Sequence, residues 1–182
     1  FAGSGVMLSR MVRMAIKKEI GGLESLIGVP GTLGGALIMN AGAYGKEISN
    51  YFISAEVINL NGEEKIYKKN DITFDYRSSS FSKNDIITNI NFQCKKGNIE
   101  LIKKLKLESS QKRKASQPLS FRSAGSIFKN PKSGPAAGYL IDQAGLKGLK
   151  FGDAEISTKH ANFIVNHGNA KSIDVIELIK KI

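Results

Sequence analysis

The chain has 182 residues, enough for one domain or two small ones with a buried core. Hydrophobic residues make up 41% and charged residues 24%, an ordinary globular balance, and no apolar run approaches the ~20 residues that cross a bilayer. The net charge of +11, from 27 basic and 16 acidic residues, attracts polyanions (nucleic acid, acidic lipid or phosphorylated small molecules) unless it reflects a basic or solubility bias alone.

Val6, Leu8, Met11, Val12, Ala15 and Ile16 recur at helical spacing and predict an amphipathic helix ending near Gly21 and Gly22. Arg10 and Arg13 within this pattern exclude a signal peptide, and a start without Met reads as a fragment. A glycine-dense stretch from Gly28 to Gly45 follows, with Pro30 as a stiff point, and it is too apolar for a flexible linker. From Ile48 to Cys94 the pattern is that of antiparallel sheet. One hairpin turns at Asn61-Gly62, and a second strand pair is expected from Thr73 to Tyr76 and from Asp85 to Phe92. Cys94, the single cysteine, excludes an internal disulfide and reads as a small buried hydrophobe.

Lys95 to Asn98 marks a domain boundary, so residues 1–97 and 98–182 are expected as separate domains. Ile99 begins a basic helix, and Pro118 to Lys132 reads as irregular and polar. Ala136 to Ala144 reads as a short helix stopped by Gly145, and Phe151 to Val165 as strand and turn. Ser172 is the expected cap of a last helix with Ile173, Ile176 and Ile179 on one face. The basic residues around Lys103 to Lys114 are not interleaved with aromatics, which counts against single-strand binding. Two histidines and one cysteine, widely spaced, form no zinc pattern, so no metal is expected.

The glycine-dense stretch matches neither the Rossmann nor the P-loop pattern. Glycine content by itself favours a tight turn over a ligand cradle, although glycines do let main-chain N–H groups approach a phosphate or a flat ring. The order of residues from Ile27 to Ala36 and from Met39 to Gly45 adds more. It resembles the flavin-binding signature of the MurB-type reductases, the UDP-N-acetylenolpyruvoylglucosamine reductases of bacterial cell-wall synthesis. The resemblance implies an α+β fold, with an antiparallel-sheet FAD-binding lobe (vanillyl-alcohol-oxidase-like) over residues 1–97. A small α+β substrate-binding domain would occupy residues 98–182. It further implies FAD lying along Gly28, Pro30, Gly31, Thr32, Gly34 and Gly35, and along Asn40, Ala41, Gly42, Ala43 and Tyr44.

An arginine at a strand end is by default solvated or surface-paired. Tyr76, Arg77, Ser79 and Phe81 nevertheless match a catalytic Tyr-Arg-x-Ser-x-Phe pattern of the same family. The resemblance makes Arg77 catalytic and Tyr76 a substrate contact. A permanently charged, planar guanidinium suits a carboxylate onto which negative charge is pushed during reduction of a neighbouring double bond.

Ser123 to Pro131 is a second signature. A serine in a Gly-Ser turn usually bonds its own backbone, and this one lies in no nucleophile elbow. The resemblance implies that Ser126 is a proton donor and that Arg113 contacts the substrate, while Lys129 and Asn130 are placed to polarise the serine or to hold the substrate. For these last three a plain surface reading stays open. His160 and Asn162 read as packed, structural residues.

The resemblance also implies parts that this sequence does not include: a first flavin lobe upstream of Phe1, and a glutamate beyond Ile182 that assists protonation. The spacing from Arg77 to Ser126 resembles the compact subclass. The implied activity is NADPH-dependent, FAD-mediated formation of UDP-N-acetylmuramate in peptidoglycan precursor synthesis, in the bacterial cytoplasm. The implied partners are NADPH and a UDP-sugar, with no nucleic acid or membrane; the oligomeric state is left open, with a monomer slightly favoured. Two other readings stand beside it: an alcohol-oxidising flavoprotein of the same fold, and a basic nucleic-acid-binding module.

Overall fold

Leu8, Val12 and Ala15 fall on one side of a helix, and that side is buried. The chain enters through a short strand, β1 (Ala2–Gly3), and forms α1 (Leu8–Lys17). Glu19 adopts a left-handed conformation at φ 58°, which ends the helical path before β2 (Ile20–Gly21). The glycine-dense stretch contains α2 (Leu33–Ile38) and a tight hairpin of β3 (Gly42–Ala43) and β4 (Lys46–Glu47). Then come β5 (Phe52–Asn59), β6 (Glu64–Lys68), β7 (Phe74–Asp75), β8 (Ser78–Ser79), β9 (Asp85–Phe92) and β10 (Lys95–Lys96). This computed structural model describes every residue from Phe1 to Ile182, and the chain divides into two units, Phe1–Gln111 and Lys112–Ile182.

In the first unit an antiparallel sheet runs in the order β1-β9-β5-β6. The β5–β6 connection turns where Asn61-Gly62 predicts it: Gly62 takes φ 82°, and the Asn59 side chain accepts from the Asn61 and Glu63 amides. The second expected strand pair does not form. Residues 74–75 pair with 78–79 in a hairpin of their own, while 85–92 runs between β5 and β1. The reason is burial. Ile87 and Ile90 of β9 belong in the core, which a central strand satisfies and a strand on the 74–79 segment would not. Phe52, Phe74 and Phe81 meet edge to face, with centroids 5.4 to 6.2 Å apart. Each fully buried side chain such as Leu8, Leu37 or Ile90 contributes about 1.5–3 kcal/mol of hydrophobic stabilisation. Cys94 is half-buried against this core, and burial pushes its thiol pKa up, as for an inert packing residue.

The basic helix α3 (Ile99–Ser116) starts one residue after Asn98, whose side chain accepts from the Glu100 and Leu101 amides. The two units divide inside this helix, at Gln111–Lys112, rather than at Lys95–Asn98. Its first turn belongs with the first unit because Ile102, 3% exposed, lies over Gly21 and Gly97. β10 pairs with β2 at the same place.

The second unit contains β11 (Arg122–Ser126), α4 (Ala137–Gln143), β12 (Lys150–Phe151), β13 (Ala154–Ile156), β14 (Phe163–Asn166) and α5 (Ser172–Lys181). Its antiparallel sheet has the order β11-β14-β13-β12. β11 corrects the irregular reading of Pro118–Lys132: its polar residues are exposed, so they carry no alternation, and main-chain pairing with β14 makes the strand. α4 stops at Gly145, which takes φ 69°. In α5 the Lys171 amide is capped by the Asp174 carboxylate, and Ser172 is already helical. The buried face carries Leu178, with Val175 and Ile182 beside it, while Ile173, Ile176 and Ile179 are exposed. Three isoleucines at spacing i, i+3, i+6 fit a helical stripe, but tertiary packing selected its neighbour. No helix is long and apolar enough to cross a membrane.

Candidate functional site

The glycine-dense stretch is held from behind and open in front. The amides of Leu33 and Gly34 donate to the carbonyls of Val6 and Ser4 at 2.9 Å, and Leu8 N donates to Gly31 O at 3.0 Å. A methyl group on Gly34 would sit 3.1 Å from Ser4 Cβ, so this glycine is needed for packing. Gly31, at φ 108°, has nothing within 4 Å of a Cβ, and Gly35 would meet only Thr32 Oγ1 at 3.6 Å. Gly28, Pro30, Gly31 and Gly35 are exposed, Thr32 and Gly34 half-buried. These residues offer an accessible main-chain surface of the kind a flat or phosphorylated cofactor needs. Thr32 caps α2, its hydroxyl accepting from Gly35 N at 3.4 Å.

Farther along, the stretch closes on itself. Tyr44 (φ 53°) and Gly45 (φ 77°) form the two-residue turn between β3 and β4. Gly42 has no room for a side chain: a Cβ would lie 2.8 Å from Glu47 Cγ and 2.9 Å from Lys46 O. Asn40, named above among the FAD residues, has 0% exposure. Its amide donates to Glu47 Oε2 at 2.8 Å and Asp75 O at 3.1 Å, and its Oδ1 accepts from Ser49 N at 3.4 Å. Asn40 thus holds the surrounding main chain and cannot itself touch a ligand. Ala41 is buried as well, which leaves Gly42, Ala43 and Tyr44 as the accessible residues of that group.

The structure brings Tyr76 and Arg77 to this hairpin. They form the two-residue turn between β7 and β8, and Arg77 takes φ 53°, a left-handed conformation that favours glycine or asparagine. Strain of this kind persists only where the surroundings impose it. Arg77 Nη2 donates to Gly42 O at 2.9 Å, and its guanidinium lies 5.0 Å from the Tyr76 ring centroid. Ser79 Oγ donates to Ile38 O at 2.7 Å, and Phe81 belongs to the aromatic core. Residues 42–47, Asn50, Tyr76 and Arg77 line a cleft of about 330 Å³. Residues 35 positions apart, singled out from separate motifs, therefore share one wall. Glu47, which no motif singled out, also lines it. Its one sequence signal is a capping box with Asn50, and that signal speaks only of a turn.

In the second unit Ser126 is exposed and sits at the end of β11, paired with Phe163. The register with β14 shifts between Ser123 and Ser126, and Gly125 takes φ 90° within that irregularity. A bulge re-aims the side chain that follows it. The next residues are clamped by buried Asn162, whose Oδ1 accepts from Phe128 N at 2.9 Å while its Nδ2 donates to Phe128 O at 2.8 Å. Asn130 Oδ1 accepts from Ala137 N at the start of α4, and Lys129 is exposed. Arg113 donates to Gln117 Oε1 at 3.1 Å near the end of α3. His160 packs on Phe163 with centroids 4.8 Å apart and accepts from Asn162 N at 3.3 Å. Burial pushes its pKa down and favours the neutral ring, which the packing on Phe163 and the bond from Asn162 N hold in place.

Comparison with known proteins matches both units. Residues 2–66 match the FAD binding domain family, and residues 117–182 match the family described as UDP-N-acetylenolpyruvoylglucosamine reductase, C-terminal domain. The UDP-N-acetylenolpyruvoylglucosamine reductase of Carboxydothermus hydrogenoformans is 47% identical over 184 residues, which cover 100% of this chain and 60% of the relative. The protein of the same name from Syntrophus aciditrophicus is 43% identical over 181 residues, 100% of this chain and 58% of its own length. The crystal structure of UDP-N-acetylenolpyruvylglucosamine reductase (MurB) from Thermus caldophilus has a TM-score of 0.91 at 40% identity, covering 98% of this chain and 65% of that one. The chain thus spans about 60% of the length of the relatives it matches.

Proposed function

We infer that this chain, which belongs to the UDP-N-acetylenolpyruvoylglucosamine reductase family, works in the reduction of UDP-N-acetylglucosamine enolpyruvate to UDP-N-acetylmuramate. The observation that carries this reading is the hydrogen bond from Arg77 to Gly42, which joins the arginine motif to the glycine-rich hairpin. The exposed main chain at Gly28, Pro30, Gly31 and Gly35 fits FAD, with Gly42, Ala43 and Tyr44 completing its support. When bound, FAD supplies the hydride, which it takes from NADPH.

The residues of the chain do the rest. Arg77 holds the substrate carboxylate and stabilises the charge that develops on it during reduction. Its guanidinium stays protonated throughout, so it binds and orients without exchanging protons. Tyr76 flanks the same group. Ser126 gives its hydroxyl proton to the carbon next to the carboxylate, which becomes strongly basic once the neighbouring alkene carbon has received hydride. One hydride and one proton saturate the double bond, and the serine recovers its proton from solvent. Arg113, Lys129 and Asn130 hold the nucleotide sugar. The net charge of +11 favours encounter with two phosphorylated anions.

The wider reading is an enzyme of the bacterial cytoplasm that serves peptidoglycan synthesis, and through it cell-wall growth, cell shape and division. The alcohol-oxidising flavoprotein and the nucleic-acid module gain no support from the matches. The test is a visible spectrum together with NADPH consumption, with and without the enolpyruvyl nucleotide, on the chain extended by the flavin lobe and the glutamate that the family resemblance implies. A yellow protein whose NADPH consumption requires the nucleotide supports the reading. Ser126→Ala should then still accept electrons from NADPH while product formation falls by about 10²–10⁴-fold. Product formed at the unaltered rate by Ser126→Ala removes the proton-donor role, and a colourless protein removes the flavin.

A further inference from the structure

We propose that Asn40, acting with Glu47, is the positioning residue for the Arg77 guanidinium; this rests on the catalytic role given to Arg77 above. Asn40 lies at φ 42° with no exposed surface, a conformation and burial that its hydrogen bonds must sustain. Its two amide protons go to two different elements. One binds the Glu47 carboxylate on β4 at 2.8 Å, and the other binds the Asp75 carbonyl at 3.1 Å, two residues before Arg77. The Glu47 amide in turn donates to Asn50 Oδ1 at 2.9 Å, so the partner of Asn40 is fixed at its own main chain.

The consequence is geometric. The turn that carries Arg77 and the hairpin that supplies Gly42 are both registered on one buried side chain. Arg77 then closes the circuit by donating to Gly42 O at 2.9 Å. Asp75 cannot shift without breaking its bond to Asn40, and β4 cannot shift without moving Glu47. Only a primary amide serves here, because both protons are donated while Oδ1 accepts from Ser49 N. An aspartate would keep the shape, remove both donors, and set a second carboxylate against Glu47. The charged groups around the pair are Lys46 and Arg77, which line the cleft with Glu47, and Asp75, whose carboxylate accepts from Tyr76 N at 2.7 Å.

Three variants of the full chain test this: Asn40→Asp, Asn40→Asp with Glu47→Gln, and Glu47→Ala. The first readout is the solvent exchange of the Arg77 guanidinium N–H signals by nitrogen-15 NMR without ligands, assigned by their loss in Arg77→Lys. The second is kcat with flavin content measured on the same samples. Asn40→Asp should speed the exchange at about pH 8 and approach the unaltered protein at about pH 5, where one of the paired carboxyls is protonated. Adding Glu47→Gln, which moves the amide to the other side of the pair, restores the link between residues 40 and 47 but not the bond to Asp75 O, so exchange at the higher pH should slow only part of the way back. In the reductase assay kcat should fall by up to about 100-fold with flavin content unchanged, as expected for a misplaced catalytic group.

If Asn40→Asp does not fold, Glu47→Ala at the half-exposed partner remains, and it should speed exchange at every pH. Unchanged Arg77 exchange in Glu47→Ala, or in a folded Asn40→Asp at high pH, overturns the proposal. So does a loss of flavin with Arg77 exchange intact. Since the NMR readout needs neither flavin nor substrate, a failure of the reductase reading would appear separately, as inactivity of the unaltered chain extended by the flavin lobe and the glutamate that the resemblance implies.

Discussion

Arg77 Nη2 lies 2.9 Å from the carbonyl oxygen of Gly42, so the charged residue of one tight turn is anchored on the first strand residue of another hairpin. Arg77→Lys keeps the charge but loses the planar fork, and kcat should fall by about 10²–10³-fold, on the scale of deleting one charge-stabilising donor. Steady-state kinetics with flavin content held equal would check this. The backbone at φ 53° makes a second, separate prediction. Arg77→Gly should be more stable than Arg77→Ala by about 1–2 kcal/mol in chemical denaturation, because only glycine is free of the left-handed penalty.

Two glycines of the same stretch should answer alanine in opposite ways. In Gly42→Ala the new methyl group would lie 2.8 Å from Glu47 Cγ and 2.9 Å from Lys46 O, so the hairpin must move. A loss of about 1–3 kcal/mol is expected from this overpacking. Gly35→Ala meets only Thr32 Oγ1 at 3.6 Å and lies within α2, so the ligand-free protein should gain about 0.5–1 kcal/mol. If cofactor lies along Gly35, flavin affinity must nevertheless drop in that variant. A flavin titration beside a melting curve separates the two effects.

Asn162→Ala should destabilise the second unit by about 1–3 kcal/mol, since it leaves both the N–H and the carbonyl of half-buried Phe128 without their partner. Protection of the Phe128 amide in hydrogen exchange should fall with it, while the amides of β5 and β9 keep theirs.

Glu155 is buried at the middle of β13 with Lys150 Nζ at 3.1 Å and His167 Nε2 at 2.6 Å. Desolvation raises its pKa, but the hydrogen bonds and charges of Lys150 and His167 outweigh it and hold the carboxyl below its ordinary value of 4.5. A carboxyl with a lowered folded-state pKa stabilises the fold above that ordinary value, and the contribution disappears as pH falls through the folded-state value. Acid denaturation of the second unit should therefore steepen below about pH 4.5, and Glu155→Gln should flatten that limb. An unchanged acid limb in Glu155→Gln would show that other carboxylates carry it.

The local features read from the sequence are those set by neighbouring residues. Helical spacing located α1, Asn61-Gly62 located the β5–β6 turn, and Gly145 located the end of α4. The glycine-rich and Tyr-Arg motifs marked two segments that the fold brings together, with Arg77 hydrogen-bonded to Gly42. Partners chosen across the fold were not legible. The strand 85–92 could not be assigned to β5 and β1 from its own alternation, and β11 shows no alternation at all. The inner face of α5 depended on which stripe met Ala154 and Ile156, two residues of a strand that precedes the helix by many positions.

Residue types and short spacings thus determined where this chain turns and which segments are rich in glycine or charge, because such preferences act within a few bonds. Tertiary structure alone decided that Asn40 faces inward, that Glu47 joins the cleft, and that Arg77 meets Gly42. Each of those depends on a hydrogen bond or a burial between segments far apart in the chain, and such contacts exist only once the core has brought the segments together.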